Sequence, residues 1–180
     1  MLERYPSLVI LANAKTLPML KGYHNVPEER VQIVAEAESV SLGGCSLRFY
    51  MAPMVHWPET MVTFLEEEGT VFSGDAFGTF GETDDNILDE DDTFETYRLE
   101  MVRYYSNIVG KYGKQVQALL AKLDGIELNF ICPLHGPVLS ETIPEVLALY
   151  KTWSAYEPEN KGVFIAAASI HGNTLEAAEK

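Results

Sequence analysis

Cysteine is scarce in this sequence, and so is positive charge. Its 180 residues include 2 cysteines, Cys45 and Cys132, too few for the disulfide framework of a small secreted domain and without the CxxC spacing of a zinc site. That usage fits a reducing compartment, with a buried structural place expected for each thiol. Lysine and arginine number 13 against 27 acidic residues, a formal net charge of −14. Such a balance repels phosphate backbones and anionic headgroups, so neither nucleic acid nor a membrane is an expected partner. No apolar run approaches the roughly 20 residues of a membrane-spanning helix. The N-terminus, Met-Leu-Glu-Arg-Tyr-Pro, lacks the basic and apolar regions of a secretory signal, and the expected compartment is the cytoplasm. Internal repeats are absent too, which excludes solenoid architectures.

What is present is 47% apolar residues, with 11% of all residues aromatic, enough to build a packed core. Strand and helix signals alternate, which points to an α/β fold. Strands are expected over residues 8–11, 31–35, 39–42, 46–51, 61–65 and 71–73, with turns at Gly43-Gly44 and Glu68-Gly69, where glycine reaches positive φ at no steric cost. A helix over 14–21 carries Pro18 near its middle. From residue 93 the period becomes helical, placing Tyr97, Met101, Tyr104, Tyr105, Ile108 and Val109 on one core-facing stripe. A second helix over 111–123, a strand over 128–132 and a helix over 143–156 follow. The acidic run from 82 to 92 reads as a solvated loop or helix entry, with a calcium loop as the alternative.

Residues 157–162, Glu-Pro-Glu-Asn-Lys-Gly, interrupt both periodicities and read as a linker. Beyond them an apolar strand over 163–168 runs into Ser169-Ile170-His171-Gly172-Asn173-Thr174 and a helix from about residue 175. A glycine and hydroxyl residues between a strand and a helix form a cradle of N–H and O–H donors suited to a phosphate. The simpler alternative is a helix cap made by Asn173 or Thr174. The expected division is therefore a domain over 1–156, a linker over 157–162 and the start of another domain over 163–180.

Three loop residues have metal-binding chemistry: His56 in Met-Val-His-Trp-Pro, Asp75 in Phe-Ser-Gly-Asp-Ala-Phe-Gly, and His135 in Cys-Pro-Leu-His-Gly. Each follows an expected strand. Neutral imidazole suits first-row metals, and the two oxygens of a carboxylate can bridge a pair of cations. Trp57 and Phe77, beside two of these positions, either line such a pocket or pack in the core. His24 reads as a solvated loop residue.

These words together, with Tyr105-Ser106-Asn107-Ile108 and the spacings of 19 and 60 residues between His56, Asp75 and His135, resemble the flavodiiron proteins. The resemblance implies a partial metallo-β-lactamase-like αβ/βα sandwich, followed by the first β-strand and helix of a flavodoxin-like domain. It implies an oxidoreductase that reduces dioxygen to water or nitric oxide to nitrous oxide at a non-haem di-iron centre fed by FMN. His56 then matches a ligand of one iron, Asp75 the bridging carboxylate and His135 a ligand of the other. Ser169, His171, Gly172, Asn173 and Thr174 match the FMN phosphate loop. Rubredoxin or a reductase as electron donor, and a homodimer in the intact protein, are implied as well. The family's HxExDH motif does not occur in this sequence, so an incomplete fragment, inactive alone and poorly metallated, is expected. A zinc hydrolase of the wider metallo-β-lactamase superfamily and a stand-alone di-iron oxygen sensor are the alternatives.

Overall fold

The computed structural model describes residues 1–81, 87–89, 94–163 and 165–180. Most of the acidic run considered for calcium, and Phe164 of the expected strand over 163–168, lie outside the described residues. The described part begins with a small parallel pair, β1 (Ile10–Ala12) and β2 (Val31–Ile33), joined by α1 (Thr16–His24). Pro18 falls in the first turn of α1 rather than its middle. There the backbone N–H groups have no intrahelical acceptor, so the missing donor costs little. His24 is not in a loop but closes this helix, exposed.

A five-stranded sheet follows in the order β3 (Ser39–Ser41), β4 (Ser46–Met51), β5 (Met61–Leu65), β6 (Thr70–Gly74), β7 (Phe130–Pro133). Its first three pairings are antiparallel and the last, β6 with β7, is parallel. Two antiparallel steps return the chain to its first direction, so β4, β6 and β7 all run the same way. Their C-terminal ends, and the loops that follow them, share one rim of the sheet. That is the end at which open α/β sheets build their sites.

One face of the sheet is covered by α2 (Phe94–Ile108), α3 (Gly113–Leu123) and α4 (Ile143–Ser154). The stripe expected on α2 contributes Met101, Tyr104, Tyr105 and Val109 to the interior, while Tyr97 and Ile108 are only partly buried. Val116, Leu119 and Leu123 of α3 and Val146 and Tyr150 of α4 meet Val62, Val71 and Ile131 of the sheet in one cluster. The period of 3.6 on the helices and of two on the strands selects these positions. Cys45 and Cys132 are free and half-buried rather than fully buried. Cys45 closes the exposed turn between β3 and β4, where its carbonyl accepts from Leu42 N–H at 2.8 Å.

The stretch over 157–162 is anchored at Glu159, whose carboxylate pairs with Arg98 of α2 and accepts from Trp153 Nε1 at 2.7 Å. Beyond it, the described residues of 163–168 do not form the expected strand. A strand exists by pairing its backbone with a neighbour, and none of the described strands pairs with this segment. The chain ends in α5 (Asn173–Ala178). Among the described residues, no helix is long and apolar enough to cross a membrane.

Candidate metal centre

Each of the three candidate ligands sits on a loop at the common rim, and each loop has its own internal fastening. After β4, Ala52 N–H donates to Thr60 O at 2.9 Å and Met54 N–H to Trp57 O at 2.7 Å, closing a compact loop that carries His56. Val55 is fully buried beneath it. Trp57 projects outward, 56% exposed, with its ring 5.5 Å from the imidazole of His56. It is therefore not a core residue.

After β6 the chain turns sharply. Ala76 N–H donates to Ser73 O at 3.2 Å, and the buried Ser73 hydroxyl donates to Ala76 O at 2.7 Å. Asp75 is held inside this turn. Phe77, in contrast to Trp57, is core: its ring lies 4.6 Å from that of Tyr150, and its N–H donates to the Tyr150 hydroxyl at 2.8 Å.

After β7, Leu134 N–H donates to Gly74 O at 2.8 Å and Thr79 N–H to His135 O at 3.2 Å, so the third loop is stitched to the second. Two glycines permit the approach. A β-carbon at Gly136, which has φ +91°, would sit 2.2 Å from Thr79 Cγ2. One at Gly78 would sit 2.8 Å from the ring of Tyr104.

The result is a convergence on one carboxylate. His56 Nε2 stands 3.2 Å from Asp75 Oδ2, and His135 Nε2 stands 3.6 Å from Asp75 Oδ1. The two imidazoles address different oxygens of the same group. Among the described residues no cluster of three or more His, Cys, Asp or Glu side chains is gathered closely enough to hold a metal ion. The donors are divided into two halves about Asp75.

Tyr104 forms the floor beside His135, with ring centroids 5.8 Å apart, and is buried. Burial, assisted by the negative charge of Asp75, pushes its phenol well above the usual tyrosine range, so it stays protonated. The helical period identifies Tyr104 only as a core residue; its nearness to His135 arises from the fold. Asn13, which binds the loop of His56, is likewise absent from the expected site, although an Asn between a strand and a helix is a capping signal.

Ser169, His171, Gly172, Asn173 and Thr174 form a separate loop at the start of α5. Gly172 adopts φ +88° and is the residue preceding the helix, with no side-chain cap; Ser169 Oγ accepts from Thr174 N–H at 3.4 Å. Neither Asn173 nor Thr174 caps α5, which begins at Asn173 itself. The hydrogen bonds made by residues 169–180 among the described residues are local.

The sheet with its helical layer, and loops converging at the strand ends, define a metallo-β-lactamase-like domain. Residues 1–136 match the family described as ODP family beta lactamase. The chain belongs to that family. It is similar to the anaerobic nitric oxide reductase flavorubredoxin of Shigella dysenteriae, 29% identical over 182 aligned positions that cover 99% of this chain and 38% of the relative. Among solved structures it is similar to rubredoxin oxygen:oxidoreductase from Desulfovibrio gigas, with a TM-score of 0.76 and 26% identity over 83% of this chain and 38% of that one. A mutant flavo di-iron protein from Thermotoga maritima gives a TM-score of 0.77 and 25% identity over 84% of this chain and 37% of that one. The chain thus spans well under half the length of these oxidoreductases.

Proposed function

We propose that this chain carries part of a flavodiiron oxidoreductase centre that reduces dioxygen, nitric oxide or both. The observation that carries this reading is the division of Asp75 between His56 on Oδ2 and His135 on Oδ1. A carboxylate shared in this way suits two cations better than one, since each oxygen faces its own imidazole. Three donors cannot complete two coordination shells, so the remaining ligands must come from outside these residues.

His56, Asp75 and His135, with further donors, would hold the metal pair, which when bound would supply the redox chemistry of the reduction. The chain's own contribution is to fix three donors at one rim and to set the buried ring of Tyr104 beside His135. Residues 163–180 are read as the start of a flavodoxin-like domain after a linker over 157–162. Ser169, His171, Gly172, Asn173 and Thr174 would face the FMN phosphate, and rubredoxin or a reductase would donate electrons. The names of the relatives, nitric oxide reductase flavorubredoxin and rubredoxin oxygen:oxidoreductase, support the substrates and the donor. A homodimer is proposed for the intact protein.

Cobalt(II), a spectroscopic stand-in for iron(II), tests the ligand set on this chain. Titration is expected to give an absorption band that His135→Ala weakens by at least about tenfold in affinity, the loss of one ligand. Binding of equal strength in the variant would remove His135 from the set. Zinc bound with water-activated hydrolysis, and no iron acquired under reducing conditions, would favour the hydrolase instead.

A further inference from the structure

Asn13 follows β1 and is 6% exposed. Its Oδ1 accepts from the N–H groups of Lys15 at 2.9 Å and Thr16 at 3.1 Å, in the turn that leads into α1. Its Nδ2 donates to the carbonyl oxygen of Glu59 at 2.7 Å. Two N–H donors face one end of the carboxamide and a carbonyl faces the other, so only one orientation satisfies all three bonds. Glu59 belongs to the loop that carries His56. A second, longer strut joins the same two segments, from Lys15 Nζ to Pro58 O at 3.3 Å.

Beside that loop is an open cleft of about 250 Å³ lined by Asn13, Val34, Met51, Pro53, Pro58 and Thr60, among others. Val55 anchors the loop in the core from one side. On the side of the cleft, the bonds from Asn13 and Lys15 tie Pro58 and Glu59 to the segment that follows β1.

We infer that Asn13 is a positioning residue of the candidate metal centre: by gripping Glu59 from the end of β1, it sets the distance of His56 from Asp75. This rests on the metal-binding reading of His56, Asp75 and His135. Metal ligands tolerate displacements of only about 0.5 Å before affinity falls, so a strut outside the ligand set controls binding without touching the ion.

Asn13→Asp in the full chain separates the two jobs of the side chain. It keeps the oxygen that accepts from Lys15 and Thr16 and replaces the donor facing Glu59 O with an acceptor. In the metal-free protein, amide exchange in residues 52–60 is expected to quicken at least about tenfold, while exchange in β5, β6 and α1 stays unchanged. Cobalt(II) affinity is expected to fall about tenfold with it. Unchanged exchange in 52–60 overturns the inference. So does faster exchange throughout the sheet, which would make Asn13 a general structural residue. If the unaltered protein binds no cobalt(II) that His56→Ala abolishes, the metal reading fails, and the exchange result still decides whether Asn13 holds the loop.

Discussion

Asp89 is joined to Thr142 twice: its Oδ2 accepts from both the backbone N–H, at 3.0 Å, and the hydroxyl of that residue. Its Oδ1 accepts from the N–H of Ser140 at 2.6 Å, the hydroxyl of Ser140 at 2.9 Å and the N–H of Glu141 at 3.2 Å. The carboxylate thus satisfies the free donors ahead of α4. Burial alone would raise its pKa, but the hydrogen bonds from Thr142 and Ser140 outweigh it and hold the group below the usual carboxylate range. A depressed folded value stabilises the protein fully above the unfolded carboxyl's value of about 3.9 and is lost as pH falls through the folded value. Thermal midpoints measured against pH should show this acid loss, and Asp89→Asn should diminish it. At neutral pH the variant should lose about 2–4 kcal/mol.

Tyr150 and Tyr105 make a contrasting pair. The Tyr150 hydroxyl accepts from the buried Phe77 N–H, whereas the Tyr105 hydroxyl is buried with no partner among the described residues. Tyr150→Phe strands a backbone donor and should cost about 1–3 kcal/mol in urea unfolding. Tyr105→Phe removes an unsatisfied group and should be neutral or stabilising. Burial, with a contribution from Tyr156, pushes the Tyr105 phenol up to about 12, so its spectrophotometric titration should lag behind that of exposed tyrosines.

Gly136→Ala drives a methyl into Thr79 at a backbone angle that side chains avoid. About 2–3 kcal/mol of destabilisation is expected by chemical denaturation. Cobalt(II) binding should weaken in the same variant, because Thr79 and His135 share a backbone hydrogen bond.

Trp57 offers an optical readout. Its ring is 5.5 Å from His56, so a paramagnetic ion bound there should quench its emission. Trp57→Phe should abolish most of the quenching and leave the signal of Trp153, which is bonded to Glu159. Quenching that persists in Trp57→Phe would place the ion elsewhere.

The reach of the sequence depended on how local each signal was. β4 and β5 coincide with the expected spans, because each is a short run rich in apolar and aromatic side chains, and β5 alternates along its whole length. His56, Asp75 and His135 stood out through their neighbours, short words of loop and glycine. Phe77 with Tyr150 is joined across 73 positions and Asp89 with Thr142 across 53. Neither bond leaves a periodic trace, since each depends on how helices settle on the sheet. Trp57 was ambiguous for another reason: aromatic residues serve equally as core and as rim, and only the direction of the loop separates the two.

The turn at Gly43-Gly44 precedes β4 and so occupies the margin of the sheet opposite the three ligand loops. Side chains added at either glycine would meet no neighbouring atom within 4 Å, although Gly43 has a φ of +94°. Gly44 is therefore a natural attachment point for a dye, a spin label or a surface tether. A probe placed there would report on the protein while leaving the chemistry at the far margin undisturbed.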